Sequence, residues 1–169
     1  PALQIAMTAW SPDGKSIAFV EGLMSDESSV GGDILVIPAE GGKPRNLTPE
    51  RKASASWLTW TQDGNIAAGE FAGGDSSVVS LDPANNKIES LYRGADHVSA
   101  GTWGPSVSLS SDGKMSAAVR SSFAAPPEVW AGANGSWKQI TQRNKNVKPA
   151  WGEAKSIHWK SDSYEVQGW

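Results

Sequence analysis

The sequence contains few residues that could act together in catalysis. A serine hydrolase of the α/β class needs a serine within the pattern Gly-x-Ser-x-Gly, which places its hydroxyl on a sharp strand-to-helix turn. That pattern is absent from the 169 residues, and the nearest approach, GKSIA at residues 14–18, lies within a predicted β-hairpin. The two histidines, His97 and His158, lack neighbours that would supply a nucleophile and an orienting acid. We therefore expect no catalytic residue in this chain.

The sequence does not indicate a metal or cofactor site either. Asp13, Asp63 and Asp112 recur along the chain, but each belongs to a separate repeat and is explained by an Asx turn, in which the carboxylate binds nearby backbone. Without cysteine there is no thiolate ligand and no disulfide. We expect neither a metal nor an organic cofactor.

Nine tryptophans could form a platform on which sugars or bases stack. Trp10 and Trp60, however, occupy the same position in successive repeats, which favours packing between repeats. The other tryptophans that could stack on a ligand are Trp57, Trp103, Trp130, Trp137, Trp151 and Trp159.

Two further groups of residues could bind or carry a ligand. Glu21, Asp26 and Glu27 could bind the ammonium group of a peptide, although a solvated loop is the simpler interpretation. Asn46 and Asn134 begin Asn-x-Ser/Thr patterns typical of glycosylation, but the first falls in a predicted strand. The sequence thus assigns no substrate-binding residue.

The elements that hold these residues follow a repeat of about 50 residues. AWSPDGKSIAF at residues 9–19 is echoed by TWTQDGNIAA at 59–68 and by SLSSDGKMSAA at 108–118. The aspartates of the copies are 50 and 49 positions apart, and Asp162 follows the third by 50. Each copy predicts two strands joined by an Asp-Gly turn.

Two more strands are predicted in each repeat, and four short antiparallel strands per period are typical of a β-propeller blade. No ten-residue segment has helical spacing, and a sandwich would not require turn chemistry to recur at a fixed step. The predicted fold is therefore all-β, a partial β-propeller of about three four-stranded antiparallel blades with a C-terminal exit hairpin. The blades are assigned to residues 1–50, 51–100 and 101–145, with a linker and hairpin at 146–169. The second turns, at residues 21–32, 69–76 and 121–127, are expected to be long loops that carry binding residues.

Composition limits the partners. A net charge of -3 provides no basic field for nucleic acid, and no apolar run approaches the roughly 18 residues needed to cross a membrane. The chain is expected to be a soluble fragment or processed product, in the cytoplasm or in the periplasm or secreted. The sequence does not decide between these compartments.

The run at residues 10–19 resembles the repeat shared by TolB-like propellers and the propellers of the prolyl oligopeptidase family of serine peptidases. PPEVW at residues 126–130, then WKQIT at 137–141 and Asn144, resemble the last blade of that peptidase family. IHWKSDSYEVQGW at 157–169 resembles the hairpin by which the family leaves its propeller and enters its α/β-hydrolase domain. Ser163 stands where the family's turn usually has glycine, so a longer or bulged connection is allowed for there.

The resemblance implies a non-catalytic propeller segment that gates and selects peptide substrates for an acylaminoacyl-peptidase-like or dipeptidyl-peptidase-like enzyme. The implied partners are the α/β-hydrolase domain, the remaining blades and peptide substrates. The alternative is a TolB-like scaffold propeller that binds a protein partner. Because three blades leave apolar faces open, we expect these faces to be covered by further blades or by another copy of the chain.

Overall fold

A computed structural model describes residues 3–24, 30–101 and 103–169, and within these residues the chain forms strands and no helix. No segment of the described residues is a helix long and apolar enough to span a membrane. The predicted all-β class is confirmed. The strands are β1 (Gln4–Trp10), β2 (Ser16–Met24), β3 (Val30–Pro38), β4 (Arg45–Asn46), β5 (Ser54–Trp60), β6 (Ile66–Ala72), β7 (Asp75–Asp82), β8 (Lys87–Gly94), β9 (His97–Ser99), β10 (Ser108–Leu109), β11 (Met115–Ser121), β12 (Glu128–Ala133), β13 (Ser136–Gln139), β14 (Ile157–Ser161) and β15 (Tyr164–Gly168).

The strands pair antiparallel in chain order, as predicted for a partial propeller. Strands β1 to β4 form blade 1 and β5 to β8 form blade 2, and one bridge between Gly32 and Ala55 joins the two blades at β3 and β5. Blade 3 has five strands, β9 to β13, because β9 and β10 both pair with the same edge of β11. Strands β14 and β15 form a separate hairpin.

The first turn of every blade is held by the same hydrogen bonds. One Asp13 carboxylate oxygen accepts from the Ser11 hydroxyl at 2.7 Å and from the Lys15 N–H at 3.0 Å, and Gly14 takes a φ of +70° that side chains disfavour. The equivalent groups are Asp63 with Thr61 and Gly64, and Asp112 with Ser110 and Gly113. The predicted turns are confirmed, and their aspartates are occupied by local hydrogen bonds.

These turns should make the fold sensitive to acid. The pKa of each of the three aspartates lies below the ordinary 3.8, chiefly because the neighbouring hydroxyl donates to the ionised carboxylate. A lowered folded-state pKa stabilises the fold above the unfolded-state pKa, and this contribution is lost as pH falls through the lower folded value. Changing all three aspartates to asparagine should flatten the fall in unfolding free energy below about pH 4. Urea denaturation across pH would detect this, and an unaltered acid dependence would contradict it.

The core lies between blades. One cluster joins Ala18, Val20 and Ile34 of blade 1 to Ile66 and Leu81 of blade 2. All five residues are fully buried. A second cluster joins blade 2 to blade 3; it consists of Val78, Val98, Val107 and Ala118. Face-to-face packing of consecutive sheets is the arrangement that propeller blades require.

The prediction of long second turns is wrong for blade 2, and in blade 1 the ladder continues to Met24 and Val30, inside the predicted loop at 21–32. Strand β6 ends at Ala72 and β7 begins at Asp75, so the turn has two residues. The ladder continues through Ser76 and Ser77, which are 6% and 2% exposed. Blade 3 does have a loop, at residues 122–127.

The acidic-loop hypothesis falls largely outside the described residues. Asp26 and Glu27 belong to residues 25–29, and the Glu21 side chain is partly buried within the ladder between β2 and β3, where Glu21 pairs with Asp33. That hypothesis stays a prediction.

The exit hairpin has a tight turn. Ser161 pairs with Tyr164 across Asp162 and Ser163, and Asp162 takes a φ of +53°. The register is regular, so the longer or bulged connection allowed for at Ser163 does not occur. The Gln167 side chain lies beside Gly74, where a methyl carbon would come within 2.6 Å of it. The hairpin therefore contacts the second turn of blade 2.

Candidate substrate channel

The first strands of the three blades border a shared groove. Strand β1 pairs with β2 and β5 with β6, and in blade 3 the interrupted first strand, formed by β9 and β10, pairs with β11. In a propeller the first strand of each blade lies nearest the axis. A groove of about 450 Å³ runs along them. It is lined by Thr8, Ala9, Trp57, Leu58, Thr59, Trp60, Thr61, Gln62, Leu109, Ser110, Ser111 and Gly113.

The groove is uncharged. Threonine and serine hydroxyls, the Gln62 amide and two indole rings form its lining, and these groups suit a neutral backbone and apolar side chains. They do not suit a phosphate or another polyanion, which needs basic groups. The lining therefore offers hydrogen-bonding and apolar groups and no charged side chain.

Each inner strand carries extra residues at an equivalent level. In β1 the register with β2 shifts by one between Ala6 and Ala9, and in β5 it shifts by one at Ser56. Such bulges bend a strand and redirect its side chains. In blade 3, Ser99 pairs with Val119 and Ser108 with Ala117, so residues 100–107 stand opposite one residue of β11. We refer to residues 100–107 as the inner-strand insert.

The second half of the inner-strand insert is anchored on blade 2. Pro105 is less than 2% exposed, and Val107 joins the cluster between blades 2 and 3 at 3% exposed. The Pro105 carbonyl oxygen lies directly over Gly69 of β6, where any side chain would overlap it. This close approach requires glycine at residue 69.

The insert is also fixed to its own strand. Ser106 is fully buried, its N–H donates to the Val98 carbonyl at 3.2 Å, and its hydroxyl accepts from the Ala100 N–H at 2.9 Å. At the other end of the insert, Trp103 is 98% exposed. Buried contacts thus hold residues 105–107 of the insert, and Trp103, two residues before them, presents a large exposed aromatic side chain.

Charged groups near the blade interfaces are paired with each other. Glu70 is 1% exposed and accepts two hydrogen bonds from Arg51, each 2.7 Å long, and this contact raises the pKa of Arg51. Arg120 donates to Asp96 and lies 4.6 Å from the centre of the Trp130 ring. These pairs hold elements of the blades together.

Glu128 organises the segment that follows blade 3. Its carboxylate accepts hydrogen bonds from the Thr141 hydroxyl, from the Arg143 N–H at 3.1 Å and from the Asn144 N–H at 2.5 Å. The Thr141 contact is the main reason that the pKa of Glu128 lies below its usual range. Glu128 and Asn144 both carry the resemblance to the peptidase family. In the structure they contact each other and fix the chain that follows blade 3.

The sequence candidates for catalysis do not converge. His97 is exposed in β9 and His158 is exposed in the exit hairpin, and neither lines the groove. Among the described residues, no group of three or more histidine, aspartate or glutamate side chains is suited to a metal ion.

The asparagine side chains of both glycosylation patterns make hydrogen bonds within the chain. The Asn46 side chain donates to Asp33 at 2.7 Å and accepts from the Thr48 N–H at 2.8 Å. The Asn134 side chain donates to the Gly113 carbonyl at 2.7 Å. Neither amide nitrogen is presented for modification in this conformation.

The tryptophans divide into two groups. Trp60 packs between blades as predicted, and its indole N–H donates to the Ala9 carbonyl at 3.0 Å. Trp57 and Trp137 border the second cluster, whereas Trp10 and Trp103 are 60% and 98% exposed. The exposure of Trp103 could not be predicted from the repeat, because the inner-strand insert has no counterpart in the other two repeats.

Solved structures of several functional classes share this arrangement. An acylaminoacyl peptidase in complex with Z-Gly-Gly-Phe-chloromethyl ketone matches 99% of this chain with a TM-score of 0.59 and 13% identity. An oligogalacturonate lyase in complex with manganese matches 83% with a TM-score of 0.64 and 15% identity. A putative TolB from Agrobacterium tumefaciens matches 83% with a TM-score of 0.53 and 15% identity. The chain is part of a β-propeller.

This propeller segment spans only part of each of these proteins. It covers 32% of the peptidase, 37% of the lyase and 62% of the putative TolB. No protein-family model and no curated protein sequence matches the chain. The similarities therefore establish the fold, which several functions share.

Proposed function

We propose that this chain is the non-catalytic propeller portion of a serine peptidase of the prolyl oligopeptidase family, and that it gates and selects peptide substrates. The inner-strand insert is the observation that carries this proposal. It leads directly into β10, whose Leu109 lines the groove, it is anchored on blade 2 through Pro105 and Gly69, and it presents Trp103. In this proposal the loop narrows the passage beyond the end of the groove.

The neutral lining explains which molecules would pass. Hydroxyl and amide groups can bond an extended peptide backbone, and the indole rings of Trp57 and Trp60 can contact apolar side chains. The bond-breaking groups would belong to an α/β-hydrolase domain, with the exit hairpin as the connection to it.

One comparison supports this assignment over a scaffold role. The acylaminoacyl peptidase matches 99% of the chain, so the similarity includes the exit hairpin, whereas the lyase and the putative TolB match 83%. The alternative, a TolB-like scaffold that binds a protein partner, is favoured by the 62% of the putative TolB that the chain covers. A hydrolase domain encoded directly after Trp169 supports gating, and a stop codon there supports the scaffold.

The gate can be tested by shortening the inner-strand insert in the full-length polypeptide. Replacing residues 100–107 by two glycines would leave two residues opposite Ala118, which is the single extra residue found in β1. We expect hydrolysis of peptides of about 20 residues to rise about tenfold relative to a chromogenic dipeptide, since the passage is wider. The 169-residue chain alone should hydrolyse neither substrate and should not react with a fluorophosphonate.

Trp103→Ala is the matched variant, because it keeps the loop and its buried anchor. It should change the ratio of long to short substrates in the same direction by a smaller factor. Equal losses of both activities, with an unchanged ratio in both variants, would contradict gating by the insert.

A further inference from the structure

A small apolar pocket lies where the second turn of blade 3 meets the chain that follows that blade. Its volume is about 250 Å³, and no charged side chain is among the described residues that line it. We refer to it as the Trp151 pocket. The turn contributes Ala125, Pro126 and Pro127 to its lining, and the following chain contributes Val147, Pro149 and Trp151.

Hydrogen bonds hold the two walls of the Trp151 pocket together. The Trp151 indole N–H donates to the Phe123 carbonyl at 2.7 Å, and the two rings meet edge to face with their centres 5.8 Å apart. The Asn144 side-chain amide donates to the Pro127 carbonyl at 2.7 Å. The pocket is therefore shaped by contacts within this chain, and such preorganisation lowers the entropic cost of binding a ligand.

The chemistry of the lining suits an apolar side chain better than a peptide backbone. Pro126, Pro127 and Pro149 have no backbone N–H to donate, and the Ser122 N–H already donates to the Ala125 carbonyl at 2.9 Å. A volume of about 250 Å³ is also smaller than the roughly 300 to 1,000 Å³ of a pocket that buries a whole small-molecule ligand. The Trp151 pocket therefore has the size and polarity for a single apolar side chain.

The surface at the pocket is apolar as well. Phe123, Val147 and Trp151 are 50%, 52% and 58% exposed. Large apolar side chains that are exposed side by side mark an interaction surface. An aromatic or branched side chain entering the pocket would pack against the Trp151 ring.

The Trp151 pocket lies on the face of the propeller from which the chain leaves. It is built on the second turn of blade 3, and the exit hairpin contacts the second turn of blade 2 through Gln167 and Gly74. Second turns of consecutive blades open on the same face, because the blades run in the same direction around the axis. In the proposed function the hydrolase domain follows Trp169, so a ligand in the pocket would lie between the propeller and that domain.

We propose that the Trp151 pocket binds one apolar side chain of the peptide substrate, such as leucine or phenylalanine. This inference rests on the proposed function and names its substrate class, which is peptides with an apolar side chain at one defined position. The hydroxyl and amide groups of the groove bond the peptide backbone, and the Trp151 pocket selects one side chain.

Ala125 allows the pocket to be filled without the loss of a wall. Its side chain is exposed and lines the pocket, so the ring in Ala125→Phe would occupy the space for the ligand. Ala124→Phe is the matched control, because Ala124 is exposed in the same turn and does not line the pocket. Both variants should fold with the same urea midpoint.

Photolabelling of the full-length polypeptide tests binding without relying on hydrolysis. The probes are peptides of about ten glycine and serine residues with one photoreactive leucine, which is moved through the sequence one position at a time. Mass spectrometry should map adducts to residues 121–127 and 147–151, and the peptide with ordinary leucine should compete, whereas the peptide with serine in its place should not. Ala125→Phe should reduce this labelling about tenfold, and Ala124→Phe should leave it unchanged.

Two results of the labelling would contradict the inference. One is an equal reduction in both variants. The other is the absence of adducts in the pocket together with a lower urea midpoint for Ala125→Phe than for Ala124→Phe, which would show that the following domain already fills the pocket.

Hydrolysis by the same polypeptides separates this inference from the proposed function. The peptide with leucine at the labelled position should have a kcat/KM about tenfold above that of the serine peptide, and Ala125→Phe should reduce this preference to about twofold. Equal hydrolysis of the leucine and serine peptides would overturn selection by the pocket and leave the peptidase assignment intact. Labelling of the pocket without hydrolysis of any peptide would contradict the proposed function and still support side-chain binding.

Discussion

Replacing Gly69 by alanine should detach the inner-strand insert from blade 2 and lower the free energy of unfolding by about 3 kcal/mol. The added methyl group would occupy the position of the Pro105 carbonyl oxygen, which is backbone and cannot turn aside as a flexible side chain could. The insert must then move, and the burial of Pro105, Ser106 and Val107 is lost with it.

Urea denaturation measures the loss of stability, and limited chymotrypsin digestion measures how far the inner-strand insert detaches from blade 2. Cleavage after Trp103 should become faster in the variant, since a protease needs several residues of extended chain around the bond it cuts. Gly152→Ala is the matched control, because nothing lies within 4 Å of a methyl group there, and it should stay within about 0.5 kcal/mol. Equal stabilities of the two variants would show that the insert is not seated on Gly69.

Replacing Arg51 by alanine should cost about 3 to 5 kcal/mol of unfolding free energy. Glu70 is 1% exposed, and Arg51 supplies both of the 2.7 Å hydrogen bonds that compensate its charge. Without the guanidinium, an ionised carboxylate would remain buried beside the link between blades 1 and 2.

The companion variant is Arg93→Ala. Arg93 also pairs with a carboxylate, Asp75 at 2.9 Å, but the two side chains are 55% and 30% exposed, so the expected cost is about 0 to 1 kcal/mol. Combining Arg51→Ala with Glu70→Gln should recover part of the loss, because the buried group is then neutral. Similar costs for Arg51→Ala and Arg93→Ala in urea denaturation would argue against a buried ion pair.

The turns and their order were predictable because their chemistry is local. Ser11, Asp13 and Gly14 lie within four positions, and the hydrogen bonds that fix the turn join only these residues and their immediate neighbours. A repeat of such turns sets the number and direction of the strands, which is why the blades could be inferred from the sequence.

The channel features were not predictable because they depend on contacts between distant residues. The inner-strand insert is seated by Pro105 against Gly69, 36 positions earlier in the chain. The tight second turn of blade 2 was missed for a related reason. Ser76 and Ser77 look like loop residues in the sequence, yet the ladder with β6 keeps them in a buried strand.

The contact between Gln167 and Gly74 has a consequence for the order of assembly. The two residues are 93 positions apart, so a chain made from its N-terminus must complete blades 2 and 3 before the exit hairpin can reach that turn. Closing so long a loop carries a large entropic cost, and it is recovered only when both ends are already structured. The hairpin is therefore expected to be the last element to settle, and whatever follows it in synthesis meets blades that have already formed.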